Sequence, residues 1–270
     1  MPLEQGKRIA LIGYGAMGQS LRASLAKSGD GLTIAAALLP TLSSCDAASR
    51  DSVRVFHDID DLVAWRPSLV VECAGHAAVR DIVPPLLRAG IDVVIVSIGS
   101  LSDAGLIDEL EAAALAGGSH LIVASGAIGG LDALRAAKRA GLTSVVYLGC
   151  KPPAAWQGSA AESLCDLPQI TSRTVFFEGN AEEAARRFPK NANVTAAVAL
   201  AGLGFDQTKV VLAADPAITC NSHNVTATGA FGEFSIALHN NPLPDNPKTS
   251  LLAAMSVEAS IVRHFAPLAL

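Results

Sequence analysis

Two kinds of pattern in this 270-residue chain could do chemistry: a glycine turn able to cradle phosphates, and polar side chains set in turn-rich segments of the C-terminal half. The first is Gly13-Tyr14-Gly15-Ala16-Met17-Gly18, preceded by the apolar run Ile9-Ala10-Leu11-Ile12 and followed by a helical stretch. Gly13 permits a tight turn, Gly15 removes a side chain where the backbone would approach a pyrophosphate, and Gly18 lets the helix press on the strand. The N–H groups of the helix start, around Ala16 and Met17, then face the phosphates and add the helix dipole. Strand before and helix after make this a dinucleotide cradle rather than a plain turn. An acidic residue some 20 positions on would bind a ribose 2′-OH; here Leu38-Leu39-Pro40 stands in its place. Nothing acidic rejects a 2′-phosphate, and Thr41, Ser43, Ser44 and Arg50 lie near enough in sequence to bond one, so NAD and NADP are both admissible. The second pattern comprises Cys150-Lys151-Pro152-Pro153, Phe188-Pro189-Lys190-Asn191-Ala192-Asn193 and Cys220-Asn221-Ser222-His223-Asn224, each joining turn chemistry to polar groups.

The elements that must position these groups fall into two regions. A strand before the glycine turn and strands expected at residues 32–39, 53–56, 68–73, 91–98 and 120–124 alternate with helices, one directly after the turn, one at 60–65, one carrying Ala77, Ile82, Leu86 and Leu87, and one at 103–115. Near-continuous apolar strands separated by helices mean a doubly wound parallel sheet of Rossmann type. Ligands on such sheets bind beyond the carboxyl ends of the strands, which points Gly75-His76, Ser97-Ile98-Gly99 and Ser125-Gly126-Ala127 toward the cofactor. Past residue 130 the strands 144–148, 174–178, 209–213 and 221–228 have fewer helices between them, at 132–140 and 193–201, as in a mixed α+β domain. After the turn-rich 240–247 segment, residues 248–264 read as a final helix returning to the first domain. The expected division is 1–126, completed by 245–270, for the dinucleotide, and 127–244 for substrate, catalysis and dimerisation.

Composition narrows the partners. With 17 % charged residues, a net charge of −5 and no basic run, nothing tracks a nucleic-acid backbone. The uncharged stretch 112–131 holds five glycines, two serines and a histidine, so it reads as helix end, strand and loop rather than a membrane span. Five scattered cysteines without a Cys-x-x-Cys spacing argue against a disulfide framework and a structural metal site and fit a reducing cytoplasm. A hydrolase elbow of the Gly-x-Ser-x-Gly kind in a strand-to-helix context is also lacking.

Six segments in order carry a likeness to one family: Gly126-Ala-Ile-Gly-Gly-Leu-Asp132, Phe188-Pro-Lys-Asn-Ala-Asn-Val194, Ala214-Asp-Pro216, Asn221-Ser-His223, Gly229-Ala-Phe-Gly232 and Asn241-Pro-Leu-Pro-Asp-Asn-Pro-Lys-Thr-Ser250. Together they resemble the L-aspartate dehydrogenases. The resemblance implies NAD(P)-dependent oxidation of L-aspartate to iminoaspartate, then hydrolysis to oxaloacetate and ammonia or delivery of the imine to NAD biosynthesis, by a homodimer. It also implies that His223 is the acid/base and that Ala127 and Asn193 contact the cofactor. The chemistry agrees: imine hydrolysis needs a proton taken from water and one returned to ammonia, and a histidine titrating near neutrality serves both. Of the other histidines, His57 and His264 lie outside the expected site loops, His120 begins a strand and His239 ends one. His76, behind Cys73-Ala74-Gly75, is the runner-up. A dicarboxylate needs local cations and hydrogen-bond partners, for which Lys151, Lys190, Asn221, Lys248 and Thr249 are the candidates. The alternatives are a two-domain reductase of another amino or imino acid, related to homoserine dehydrogenase or dihydrodipicolinate reductase, and a non-catalytic NAD(P) sensor.

Overall fold

Ile9–Ile12, Leu69–Glu72 and Val93–Ile95 are runs in which every residue is fully buried, which only a strand covered on both faces allows. In the computed structural model they are the centre of a six-stranded sheet. The structure describes residues 7–39, 45–243 and 246–268, of which 45, 46, 50, 190 and 246–248 are described through their backbone only. Thr41, Ser43 and Ser44, and the side chain of Arg50, lie outside the described residues. The chain divides into two compact units, Met1–Ala124 with Ala254–Leu270, and Ser125–Ala253.

The first unit runs β1 (Ile9–Ile12), α1 (Ala16–Ser28), β2 (Ile34–Leu38), α2 (Cys45–Arg50), β3 (Arg54–Phe56), α3 (Ile59–Trp65), β4 (Leu69–Glu72), α4 (His76–Arg88), β5 (Val93–Ile95), α5 (Ala104–Gly117) and β6 (Leu121–Val123). Strand order is β3-β2-β1-β4-β5-β6 with every pairing parallel, the doubly wound order whose switch point lies between β1 and β4. In α1 the buried positions Gly18, Leu21 and Leu25 form one stripe against the sheet. The last helix, α9 (Leu251–Phe265), returns to this unit, with Val257 and Ile261 in one core with Ile9, Leu11, Leu21 and Leu25.

The second unit runs α6 (Leu131–Ala140), β7 (Leu142–Lys151), β8 (Thr174–Asn180), α7 (Ala181–Arg187), α8 (Ala192–Ala201), β9 (Lys209–Ala214), β10 (Asn221–Gly229), β11 (Gly232–Asn240), β12 (Pro242–Leu243) and β13 (Asn246–Ser250). Its five-stranded sheet has the order β11-β10-β7-β9-β8 and is mixed, because β7 and β9 are parallel while the other pairs are antiparallel. Along β7, Val145, Tyr147, Gly149 and Lys151 are buried on one face; along β10, Asn221, His223, Val225 and Ala227 are. Strand register places Gly149 opposite His223 and Tyr147 opposite Val225, so the chemistry-bearing residues of both strands share that face.

Three differences from the sequence expectation have local causes. The strand expected at 91–98 ends at Ile95, because the Val96 and Ser97 N–H groups donate to the Glu72 carboxylate and the chain then enters a 3₁₀ turn at Ile98–Ser102. The final helix starts at Leu251 rather than residue 248, since β13 pairs with β12 and takes Lys248 and Thr249 into a hairpin. Five elements, α2, α7, β11, β12 and β13, were not anticipated; α7 is capped by the Asn180 side chain, which accepts from the Glu183 N–H at 2.9 Å. Among the described residues no helix is long and apolar enough to cross a membrane.

Candidate active site

The glycine cradle has the shape its spacing demands. Gly13 sits at φ +85°, where other residues are strained, and a Cβ there would come 3.0 Å from Ala74 Cβ, so this turn and the one after β4 are in close contact. At Gly18 a Cβ would meet Leu11 Cδ1 at 3.0 Å and the Gly13 carbonyl at 3.3 Å, the close helix–strand approach expected. Gly15 differs: a Cβ there meets nothing within 4 Å, and its φ of −79° suits any residue. What glycine keeps clear at this position is therefore space outside the chain. Gly15 is the N-cap of α1 with no side-chain cap, and no acid occupies the first turn, which leaves the helix-start N–H groups around Ala16, Met17 and Gly18 for an anion. These residues fit a dinucleotide pyrophosphate. Gly75, at φ +112°, is likewise the uncapped start of α4, with half-buried His76 as its first helical residue. Gly15→Val is expected to abolish dinucleotide binding in a calorimetric titration yet leave the melting temperature near wild type. Gly18→Ala is expected to lower the melting temperature.

A residue that sequence reasoning missed holds these turns together. Glu72, fully buried at the end of β4, accepts from the N–H groups of Ala74 and Gly75 at 2.7 Å each, from those of Val96 and Ser97, and from Ser97 Oγ at 2.9 Å. A buried carboxylate is tolerated when donors surround it. One side chain thereby ties the turn after β4 to the turn after β5, and the expected cofactor-facing Ser97-Ile98-Gly99 is itself buried.

The second unit gathers the other set. His223 is 2 % exposed; its Nδ1 lies 2.8 Å from Tyr147 Oη, while its Nε2 is buried without a hydrogen-bond partner among the described residues. Lys151, on the same face, sends Nζ to Asn191 Oδ1 at 2.6 Å and lies 5.1 Å over the Trp156 ring. Among the described residues no carboxylate pairs with it. Burial pushes the Lys151 ammonium down to about 8. Burial, and then the nearby Lys151 charge, push His223 down to about 3, so in the ligand-free chain the imidazole is neutral rather than titrating near neutrality as expected. Asn221, also buried, donates Nδ2 to Ser250 Oγ at 3.2 Å and so joins β10 to β13, where half-buried Thr249 precedes Ser250. Lys190 is next to Asn191, and Lys248 lies in β13, but both side chains are outside the described residues. Buried Asn240 donates Nδ2 to the Ala127 carbonyl at 2.7 Å and pins that loop to β11, and Asn193 lies in the first turn of α8. Tyr147 and Asn240 were not singled out from sequence, because the strand register that places them has no local signal; Asn191, at the end of a 3₁₀ turn over Pro189–Asn191, lies in a segment that was. Three of the other histidines are engaged elsewhere: His57 Nδ1 is 2.8 Å from the Leu39 carbonyl, and His120 and His264 flank Asp92.

An L-aspartate dehydrogenase of Cupriavidus necator is 46% identical to this chain over 256 residues, 92% of this chain and 94% of that protein. The chain belongs to the L-aspartate dehydrogenase family. Another family member, from Pseudomonas aeruginosa, is 45% identical over 261 residues, 95% of this chain and 97% of that protein. Residues 132–264 match the family model described as aspartate dehydrogenase, C-terminal, and residues 13–124 the model described as homoserine dehydrogenase, NAD binding domain. The crystal structure of an aspartate dehydrogenase from Thermotoga maritima shares the fold, with a TM-score of 0.75 at 24% identity over 98% of this chain and 99% of that one. As a member of the L-aspartate dehydrogenase family the chain is an oxidoreductase whose cofactor is NAD or NADP.

Proposed function

We propose that this chain oxidises L-aspartate with NAD or NADP to iminoaspartate, which is hydrolysed to oxaloacetate and ammonia or passed on to NAD biosynthesis. The observation that carries this reading is that buried His223 shares one face of the second sheet with Lys151, a buried cation without a carboxylate partner among the described residues. Such a cation suits an anionic substrate, which would replace part of the solvation it has lost. Gly13, Gly15, Ala16, Met17, Gly18, Gly75 and His76 would hold the dinucleotide, with Ala127 and Asn193 assigned to it by the family likeness. Once bound, it supplies the acceptor for the Cα hydride.

The substrate carboxylates are assigned to Lys151, Lys190, Asn221, Lys248 and Thr249. A charged hydrogen bond to each carboxylate contributes about 1.5–3 kcal/mol. His223 handles protons at Nε2, an atom without a hydrogen-bond partner among the described residues. As water adds to the carbon of the protonated imine, Nε2 takes a proton from it. The imidazolium returns that proton to the nitrogen, and as the C–N bond breaks and ammonia leaves, Nε2 takes the hydroxyl proton that the forming carbonyl gives up. Substrate binding makes the first transfer feasible: a carboxylate beside Lys151 offsets the charge that helps hold His223 low, and so raises its basicity.

The test is absorbance at 340 nm with purified protein, L-aspartate and each dinucleotide at alkaline pH, where more of the amine is neutral. Signal growth with aspartate, and not with homoserine or glutamate, is the expected result, and the preferred dinucleotide fixes the cofactor. Turnover of homoserine instead would move the assignment to that reductase class. Dinucleotide binding without turnover of any of these would mean a sensor. A homodimer and a cytoplasmic setting are part of the same proposal. The half-exposed apolar residues Val146, Leu148 and Val211 on the second sheet support the former and the free cysteines Cys73, Cys150, Cys165 and Cys220 the latter. Light scattering on the eluting protein tests the dimer.

A further inference from the structure

Tyr147 is as deeply buried as the histidine it touches, at 2 % exposure, and nothing in the reaction above gives it a task. Its ring lies nearly parallel to that of His223, 13° between planes and 6.0 Å between centroids, with Oη 2.8 Å from Nδ1. By register Tyr147 stands opposite Val225, so its ring has to cross position 149 to reach the histidine. A Cβ at Gly149 would lie 2.7 Å from Tyr147 Oη, 3.1 Å from Cζ and 3.2 Å from Leu212 Cδ2. The backbone at 149 is not in the left-handed region, so it is the missing side chain and not a special φ that calls for glycine here. Gly149 is the gap through which the phenol reaches the imidazole.

The bond also carries a direction. A histidine that takes a proton at Nε2 must carry its own proton on Nδ1, and Tyr147 Oη, 2.8 Å away, is the acceptor that holds it there. Burial pushes the Tyr147 phenol far above its ordinary range, so Oη stays a neutral hydroxyl. Nδ1–H therefore donates, Oη accepts, and the lone pair of the neutral imidazole is on Nε2. A carboxylate in Tyr147's place would favour imidazolium and would also compete with an anionic substrate for Lys151. A phenol orients the ring without adding charge.

We propose that Tyr147, admitted by Gly149, is the positioning residue that fixes the His223 ring and its Nδ1–H tautomer, which leaves the Nε2 lone pair to meet the substrate. This rests on the assignment of His223 to the reaction. The test is ¹⁵N NMR of the full chain labelled at histidine, read beside steady-state kinetics. Wild type is expected to show the Nδ1–H tautomer of His223. Tyr147→Phe, which removes only the hydroxyl, should give a mixed tautomer and lower kcat by about 10–100-fold, the usual cost of losing a partner that orients a working histidine. KM for aspartate and dinucleotide affinity should be unchanged. Gly149→Ala keeps both side chains but displaces the phenol, so it should change the tautomer in the same direction and serves if the first variant does not fold. An unchanged tautomer together with unchanged kcat in either folded variant overturns the proposal. The NMR signal does not require turnover, so an active His223→Ala enzyme would count against the role of His223, while an unchanged tautomer would count against that of Tyr147.

Discussion

Replacing His223 with alanine is expected to lower kcat for aspartate oxidation by about 10²–10⁴-fold, the range for losing a positioned acid/base. Dinucleotide affinity should stay at the wild-type value, because the glycine cradle belongs to the other unit, with its own sheet and core. The substitution has a structural cost as well. Tyr147 Oη loses its hydrogen-bond partner inside the protein, and a buried polar group left unpaired costs about 1–3 kcal/mol of stability. Melting curves therefore have to accompany the kinetics, and assays belong well below the variant's melting temperature. Free imidazole separates the two effects: restored turnover would show that the missing group is chemical. Turnover at the wild-type rate in a folded His223→Ala protein would remove the histidine from the reaction.

The parts of the molecule legible in sequence are those with local rules. The turn from Gly13 to Gly18 is set by short-range sterics, and the strands of the first sheet betray themselves as runs buried on both faces. The site in the second unit obeys long-range rules. Tyr147 and His223 are 76 positions apart and meet only through the register of β7 on β10. Alone, a tyrosine in an alternating strand is core material, and a glycine two residues later is merely a weak point. Glu72 was overlooked for a related reason: an acid at a strand end reads as surface until the donors of another turn, 24 and 25 residues away, are found around it. At 248–250 the periodic signal of the last helix was extended upstream into residues that pair with β12 instead. His223 lies in a segment, Cys220–Asn224, that its turn chemistry and polar groups mark out, but its acid/base role among the six histidines came through the family likeness.

Lys151→Met is expected to produce two large changes of opposite sense. Aspartate KM should rise by about 10–100-fold, the equivalent of the charged hydrogen bond that is lost. Stability of the ligand-free protein should increase. Burial lowers the Lys151 ammonium to about 8, below its value in the unfolded chain, so folding favours the neutral amine. Below pH 8 both states carry the charge and the full cost of burying it is present. From about pH 8 upward to the ordinary lysine range the unfolded chain binds more protons, so wild-type stability climbs with pH. Methionine fills nearly the same volume without charge, and the variant should melt above wild type at pH 7, by a margin that shrinks as pH rises beyond 8. Asn191 loses a donor in the exchange, but it is only half-buried and can turn to water. The histidine should respond too: with the Lys151 charge gone, one of the two causes holding His223 near 3 disappears, and its titration moves upward. That shift is what a bound carboxylate is proposed to cause in the wild-type enzyme, so the variant reproduces the electrostatics of the substrate complex while failing to bind the substrate. An unchanged KM would assign the substrate carboxylates to other cations, and an unchanged melting temperature at pH 7 would mean that Asn191 and the Trp156 ring already compensate the buried charge in full.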